Sequence, residues 1–199
     1  MKNHLTVLLG TVLILGGVVF VFFSQKTANT GSLESISTSE APWPAEVAHL
    51  RERLNAIHLP ALTSEGQALH THQHLDIFIH GQSVPVPADI GVNEGPGGFI
   101  SSIHTHDTTA MIHVESPTIE KFYVGQFFDI WGVRLSQTCI GGYCADDKNT
   151  LTLYVNGTKY EGDPRTLELT AHEQITIVYG TLEEAPTTLP SSYIFPEGS

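Results

Sequence analysis

Hydrophobic positions along the chain change period from one segment to the next. From Leu5 to Phe23 the run LTVLLGTVLILGGVVFVFF holds 19 residues without a charge. At about 1.5 Å rise per residue, a helix of that length nearly spans a hydrocarbon core of about 30 Å. Ser24, Gln25 and Lys26 follow with no small-residue cleavage pattern, so the expectation is an uncleaved transmembrane signal-anchor over residues 1–26. Residues 27–41 are small and polar with no apolar period and read as a flexible tether. In PWPAEVAHLRERLNAIHLP, Val47, Leu50, Leu54 and Ile57 recur at helical spacing. That spacing, with Pro44 in the first turn and Pro60 beyond the end, predicts one amphipathic helix over about 44–58.

From Leu75 the period shortens to two. LDIFIHG and LTLYVNG (151–157) match position by position, and each ends in a dipeptide suited to a tight hairpin turn. The predicted pairs are HLDIFIHG with QSVPVPADIG, and TLTLYVNG with TKYEGDPRTLELT, while QITIVYG (174–180) is a further strand. Between the pairs, Val124, Phe127, Phe128 and Trp131 form a short helical face that Gly132 closes as a C-terminal cap. Hairpin, short helix, then more strands predicts an α+β fold: a small mixed or antiparallel sheet with the helix on one face, β-grasp-like in order. The domain so defined covers 42–182, and the tail 183–199, with Pro186, Pro190 and Pro196, reads as loop.

Composition sharpens this picture at two points. The formal charge is −12, which argues against a nucleic-acid surface and favours a cationic partner. Of 11 histidines, seven (His70, His72, His74, His80, His104, His106 and His113) lie between positions 70 and 113. In a strand successive side chains alternate faces, so Leu75, Ile77 and Ile79 face a core while His72, His74 and Asp76 project from the other side, joined by His70 if the strand starts that early. Likewise Ile112 and Val114 oppose Met111, His113 and Glu115, and His104 and His106 share a face, followed by Asp107. Two imidazoles at H-x-H spacing lie about 7 Å apart at Cα and can converge on one ion, with a third ligand from a neighbouring strand. The candidate ligands are His72, His74, His104, His106 and His113, with Glu115 and Asp107 as ligands or as groups that orient a histidine. Each histidine alone is also compatible with the wet side of a half-exposed sheet. His80 and His172 read as turn residues, and Met111 as a space-filling side chain.

Cys139 and Cys144 enclose IGGY. Two cysteines in an exported domain predict a disulfide across that loop; a thiolate metal site and a redox pair are the alternatives, and the spacing is not C-x-x-C.

The segments HTHQHLDIFIHG, ISSIHTHDTTAMIHVESP, YVGQFFDIWGVRL, CIGGYC and LYVNGTKYEGDPRTLEL together resemble a group of exported or membrane-anchored bacterial proteins of unassigned function, over about residues 44–180. The most specific block falls on His104, His106, Asp107, His113 and Glu115, and the resemblance implies that this block acts as a unit, without implying a catalysed reaction. No G-x-S-x-G, H-E-x-x-H, P-loop or dinucleotide fingerprint occurs, so common hydrolase and nucleotide chemistry is unsupported. The expected function is transition-metal binding, copper or zinc, by a single-pass membrane-anchored extracytoplasmic domain that sequesters, delivers or senses the ion. Two alternatives stay open: a metal-dependent enzyme in which two histidines and Glu115 or Asp107 form a facial triad, and a non-metal interaction domain whose histidines respond to acid. The surplus of histidines over the three that a catalytic site needs leans away from an enzyme.

Overall fold

A computed structural model describes residues 10–15, 18–23 and 35–197. The chain divides into two compact units, Met1–Gly31 and Ser32–Ser199. In the first unit β1 (Gly10–Leu15) and β2 (Val18–Phe23) pair antiparallel, Gly10 opposite Phe23 and Leu15 opposite Val18. The helical anchor expected over residues 1–26 is not what its described portions form: they are strands. No helix among the described residues is long and apolar enough to cross a membrane. The local reason is composition. Thr11, Val12, Ile14, Val18, Val19 and Val21 are β-branched, Phe20, Phe22 and Phe23 are aromatic, and Gly16-Gly17 separates the two runs, a pattern that suits a hairpin as well as an apolar helix.

The second unit begins its regular structure with α1 (Leu50–Ala56). There follow β3 (Leu69–Ile79), β4 (Gln82–Val84), β5 (Val92–Asn93), β6 (Phe99–Ile100), β7 (Ile103–His104), β8 (Met111–Ser116) and α2 (Val124–Trp131). The chain continues through β9 (Cys139–Ile140), β10 (Tyr143–Cys144), β11 (Thr150–Val155), β12 (Thr158–Lys159), a 3-10 turn at Pro164–Thr166 and β13 (Gln174–Gly180). The main sheet runs β12-β11-β13-β3-β8-β7, with β4 also paired to β3. β13 lies parallel to β3 and the other pairings are antiparallel. The mixed α+β class expected from the alternation of hairpins and helix is therefore present.

Both tight turns form where the matched dipeptides stand: His80 and Gly81 take φ 48° and 75°, Asn156 and Gly157 take φ 50° and 77°, the positive-φ pair that a two-residue hairpin needs. β3 is long because it serves two neighbours on one edge. Its first half, to His74, pairs with β8 and its last three residues pair with β4, while from His74 onward its other edge receives β13.

The core lies on the odd-numbered face of β3. Leu75, Ile77, Ile103, Ile112, Val114, Ile175 and Ile177 are buried against Phe127, Phe128 and Trp131 of α2, burial worth about 1.5–3 kcal/mol for each large side chain. Gly132 closes α2 at φ 79°, accepting the left-handed cap. α1 starts later than the spacing predicts, at Leu50 rather than near 44, because the preceding carbonyls are engaged elsewhere. Pro44 O accepts from Trp131 Nε1 at 3.2 Å, and Glu46 receives the buried Arg53 guanidinium on both its carbonyl and its carboxylate. The same Arg53 donates through Nε to Ile130 O at 3.2 Å, tying α1 to the end of α2.

Cys139 and Cys144 are directly paired residues of the β9–β10 hairpin and form a disulfide. Gly141 in its turn has φ 52° and a Cβ there would lie 2.3 Å from the Trp43 ring, so the stapled turn is seated on an aromatic side chain. A cross-link spanning five positions removes loop entropy worth about 2 kcal/mol from the unfolded chain. The Cys139→Ser/Cys144→Ser variant is expected to lose about that much stability in chemical denaturation; an unchanged midpoint would show that hairpin contacts alone hold the turn.

Candidate metal site

The polar face of the sheet carries a row of imidazoles set by strand register. His72 on β3 stands opposite His113 on β8, and His113 stands opposite His104 on β7. Neighbouring strands are about 4.8 Å apart, so the three rings are held at successive rungs on one face. His72 Nε2 lies 3.0 Å from His113 Nδ1, and the His104 and His113 rings stack with centroids 5.3 Å apart.

The flanking rung adds His70, opposite Glu115; His70 Nε2 is 3.2 Å from His72 Nε2 and 3.2 Å from Glu115 Oε1. Just past β7, His106 Nε2 comes 3.0 Å from His104 Nε2. Donor atoms within 4.8 Å of one another form two groups, His70, His72, His113 and Glu115, and His104, His106, His113 and Glu115. Four nitrogens at about 2.0–2.1 Å around a tetrahedral ion stand about 3.3 Å apart, close to the spacings seen here.

Supporting hydrogen bonds fix several of these rings. His104 Nδ1 donates to Ser101 O at 3.0 Å, which leaves its Nε2 lone pair aimed at His106, the arrangement by which ligating histidines are oriented. Thr105, between them, is fully buried: its amide donates to Ile90 O, its hydroxyl donates to Pro87 O and accepts from Ile90 N, and its carbonyl accepts from Asp89 N. Clamped on the core side, Thr105 forces both neighbours to the opposite face. His72 Nδ1 is buried without a hydrogen-bond partner.

Of the seven residues singled out by alternation, the structure brings together His72, His104, His106, His113 and Glu115. His74 is placed elsewhere. Its Nε2 lies 2.9 Å from Thr109 O and its Nδ1 3.0 Å from Gln174 Oε1, while Tyr193 of the C-terminal tail stacks on it at 3.9 Å. Both nitrogens thus face oxygen atoms, the surroundings of an N–H donor. Asp107 is exposed and bonded to the Thr109 amide and hydroxyl, which together hold its carboxyl below the usual range. Met111 stands opposite His74, outside both groups.

Two residues enter that the sequence reading left out of the ligand set. His70 joins because β3 starts at Leu69. Glu65 lies on a loop with no periodic signal, its Oε1 3.3 Å from His106 Nε2 and its carboxyl hydrogen-bonded to Glu115. Adjacent Gly66 makes this possible, since a Cβ there would lie 2.0 Å from the backbone of Ser116.

Burial dominates the electrostatics. His104 is fully enclosed and His113 nearly so, while His70 and His106 expose 53% and 42% of their side chains, so the cluster opens to solvent at its two ends. Desolvation, then the neighbouring imidazoles, depress His104 and His113 to about 3, and His72 shifts the same way. Glu115 is pushed up to about 7, first by burial and then by Glu65. The metal-free site therefore favours neutral imidazole, the form with a lone pair to give. No family model matches the chain, and no curated protein and no solved structure is similar to it.

These shifts oppose one another in acid. As pH falls below about 6.5, the unfolded chain binds protons on His72, His104 and His113 that the folded metal-free chain refuses, for His104 and His113 down to about 3. Each such group removes up to about 1.4 kcal/mol of stability per pH unit. Glu115 takes its proton in the folded state first and adds stability as pH falls from about 7 to 4.5. Three histidines outweigh one carboxyl, so the metal-free chain should lose stability from pH 6.5 downward in denaturant titrations, and Glu115→Gln should lose it more steeply. A flat profile between pH 7 and 4.5 would contradict the burial of these rings.

Proposed function

We propose that this chain is a membrane-anchored, extracytoplasmic protein that binds a transition metal ion, copper or zinc, through strand-borne histidines, and that it sequesters, delivers or senses that ion. The observation that carries this reading is the convergence of five histidines and Glu115, from β3, β8 and the end of β7, into two overlapping groups at ligand-to-ligand spacing. Imidazole with a carboxylate suits copper and zinc, and a buried neutral ring binds them without first giving up a proton. The uncharged run Leu5–Phe23 supports the anchor. The sheet serves as a β-grasp-like scaffold: hairpin β3–β4, helix α2, hairpin β11–β12, then β13 parallel to β3 in the centre. Binding is favoured over catalysis because the donors exceed what one open catalytic ion needs, three protein ligands with a free position.

The test is metal content. The full chain, purified in detergent, is expected to hold at least one equivalent of copper or zinc by mass spectrometry, and His104→Ala/His106→Ala to lose at least half of its metal while circular dichroism shows the sheet retained. Absence of metal after incubation with either ion at neutral pH and desalting would overturn the proposal.

A further inference from the structure

The cluster has an internal two-fold character that one ion does not use. Two His-Thr-His segments, 70–72 on β3 and 104–106 at the end of β7, lie on either side of β8, which presents His113 and Glu115 between them. Within each segment the two Nε2 atoms are 3.2 Å and 3.0 Å apart respectively, the spacing of two nitrogens on a common ion. Six residues contribute, but their donor atoms do not fall into one group. They divide into two quartets, each with its own histidine pair and both including His113 and Glu115.

A residue set shared in this way is what a bridged pair of cations requires. A carboxylate offers one oxygen to each of two ions about 3.5–4 Å apart, and Glu115 is the buried carboxylate at the middle. A second carboxylate stands beside it. Glu65 Oε1 lies 3.3 Å from His106 Nε2, so a second carboxylate oxygen stands beside the second histidine pair, where a second cation would need it. The exposed ends at His70 and His106 leave each position reachable from solvent.

Resting on the metal-binding reading, we infer that the site is dinuclear, with one divalent transition-metal ion held by His70 and His72 and a second by His104 and His106. Glu115 bridges them, His113 completes the set, and Glu65 caps the ion on the His106 side. The two ions fill a site whose halves are carried by different strands, so each half has an exposed histidine that can be removed without opening the core.

The full chain in detergent, stripped of metal, is titrated with Zn(II) alone and, separately, with Cu(II) alone. Expected are two equivalents retained by the wild type and one by each of His70→Gln and His106→Gln. The Cu(II)-loaded wild type is expected to give a magnetically coupled pair by electron paramagnetic resonance, and each variant one isolated Cu(II) spin. One equivalent in the wild type, or two isolated spins per chain, overturns the dinuclear site and leaves the metal-binding reading standing. No bound ion in any sample overturns both.

Discussion

The site depends on one constraint: the register of β8 between β3 and β7. His113 is the rung that His72 and His104 share, and side chains on a strand alternate, so a slip of one residue would turn His113 and Glu115 into the core and Ile112 and Val114 out to water. Ile103, Ile112 and Val114, buried on the opposite face, hold that register through the same alternation. The hydrophobic packing against α2 and the convergence of imidazoles are two consequences of a single pairing.

Burying a polar face carries a cost unless its groups are satisfied. Here the face is divided. Beyond His74, the edge of β3 is taken by β13, and its polar side chains find protein partners: His74 with Thr109 and Gln174, Gln174 with Asp76, and the Tyr193 ring above. Before His74, the partners of His72 and His113 are chiefly other imidazoles and Glu115, and His72 Nδ1 has none. The satisfied half is structural; the half in which ring nitrogens face ring nitrogens is the one that gains most from a cation.

Much of this was legible in the sequence because period-two alternation is a local signal. The hairpin turns at His80-Gly81 and Asn156-Gly157, the strand Gln174–Gly180, the cap at Gly132 and the Cys139–Cys144 bond all follow from neighbours within a few residues. What was not legible depends on distant partners. Alternation puts His72 and His74 on one face but does not say that β13 joins the other edge of β3 at His74. The start of α1 moved because Arg53 and Trp131 claim the carbonyls of Glu46 and Pro44, contacts with no sequence period. Glu65 arrives through the close approach of Gly66 to Ser116, which no pattern in that loop announces. Residues 1–26 show the limit of composition: one apolar run serves either a spanning helix or the paired strands β1 and β2.

The claim that strand register builds a metal site is tested most directly at the ion itself. X-ray absorption at the zinc edge of the Zn(II)-loaded full chain should show nitrogen and oxygen ligands at about 2.0–2.1 Å, with the outer-shell scattering of at least three imidazoles per ion pair. A spectrum of oxygen ligands without imidazole scattering would mean that the ion sits elsewhere, and that the histidine row is only the polar side of a sheet.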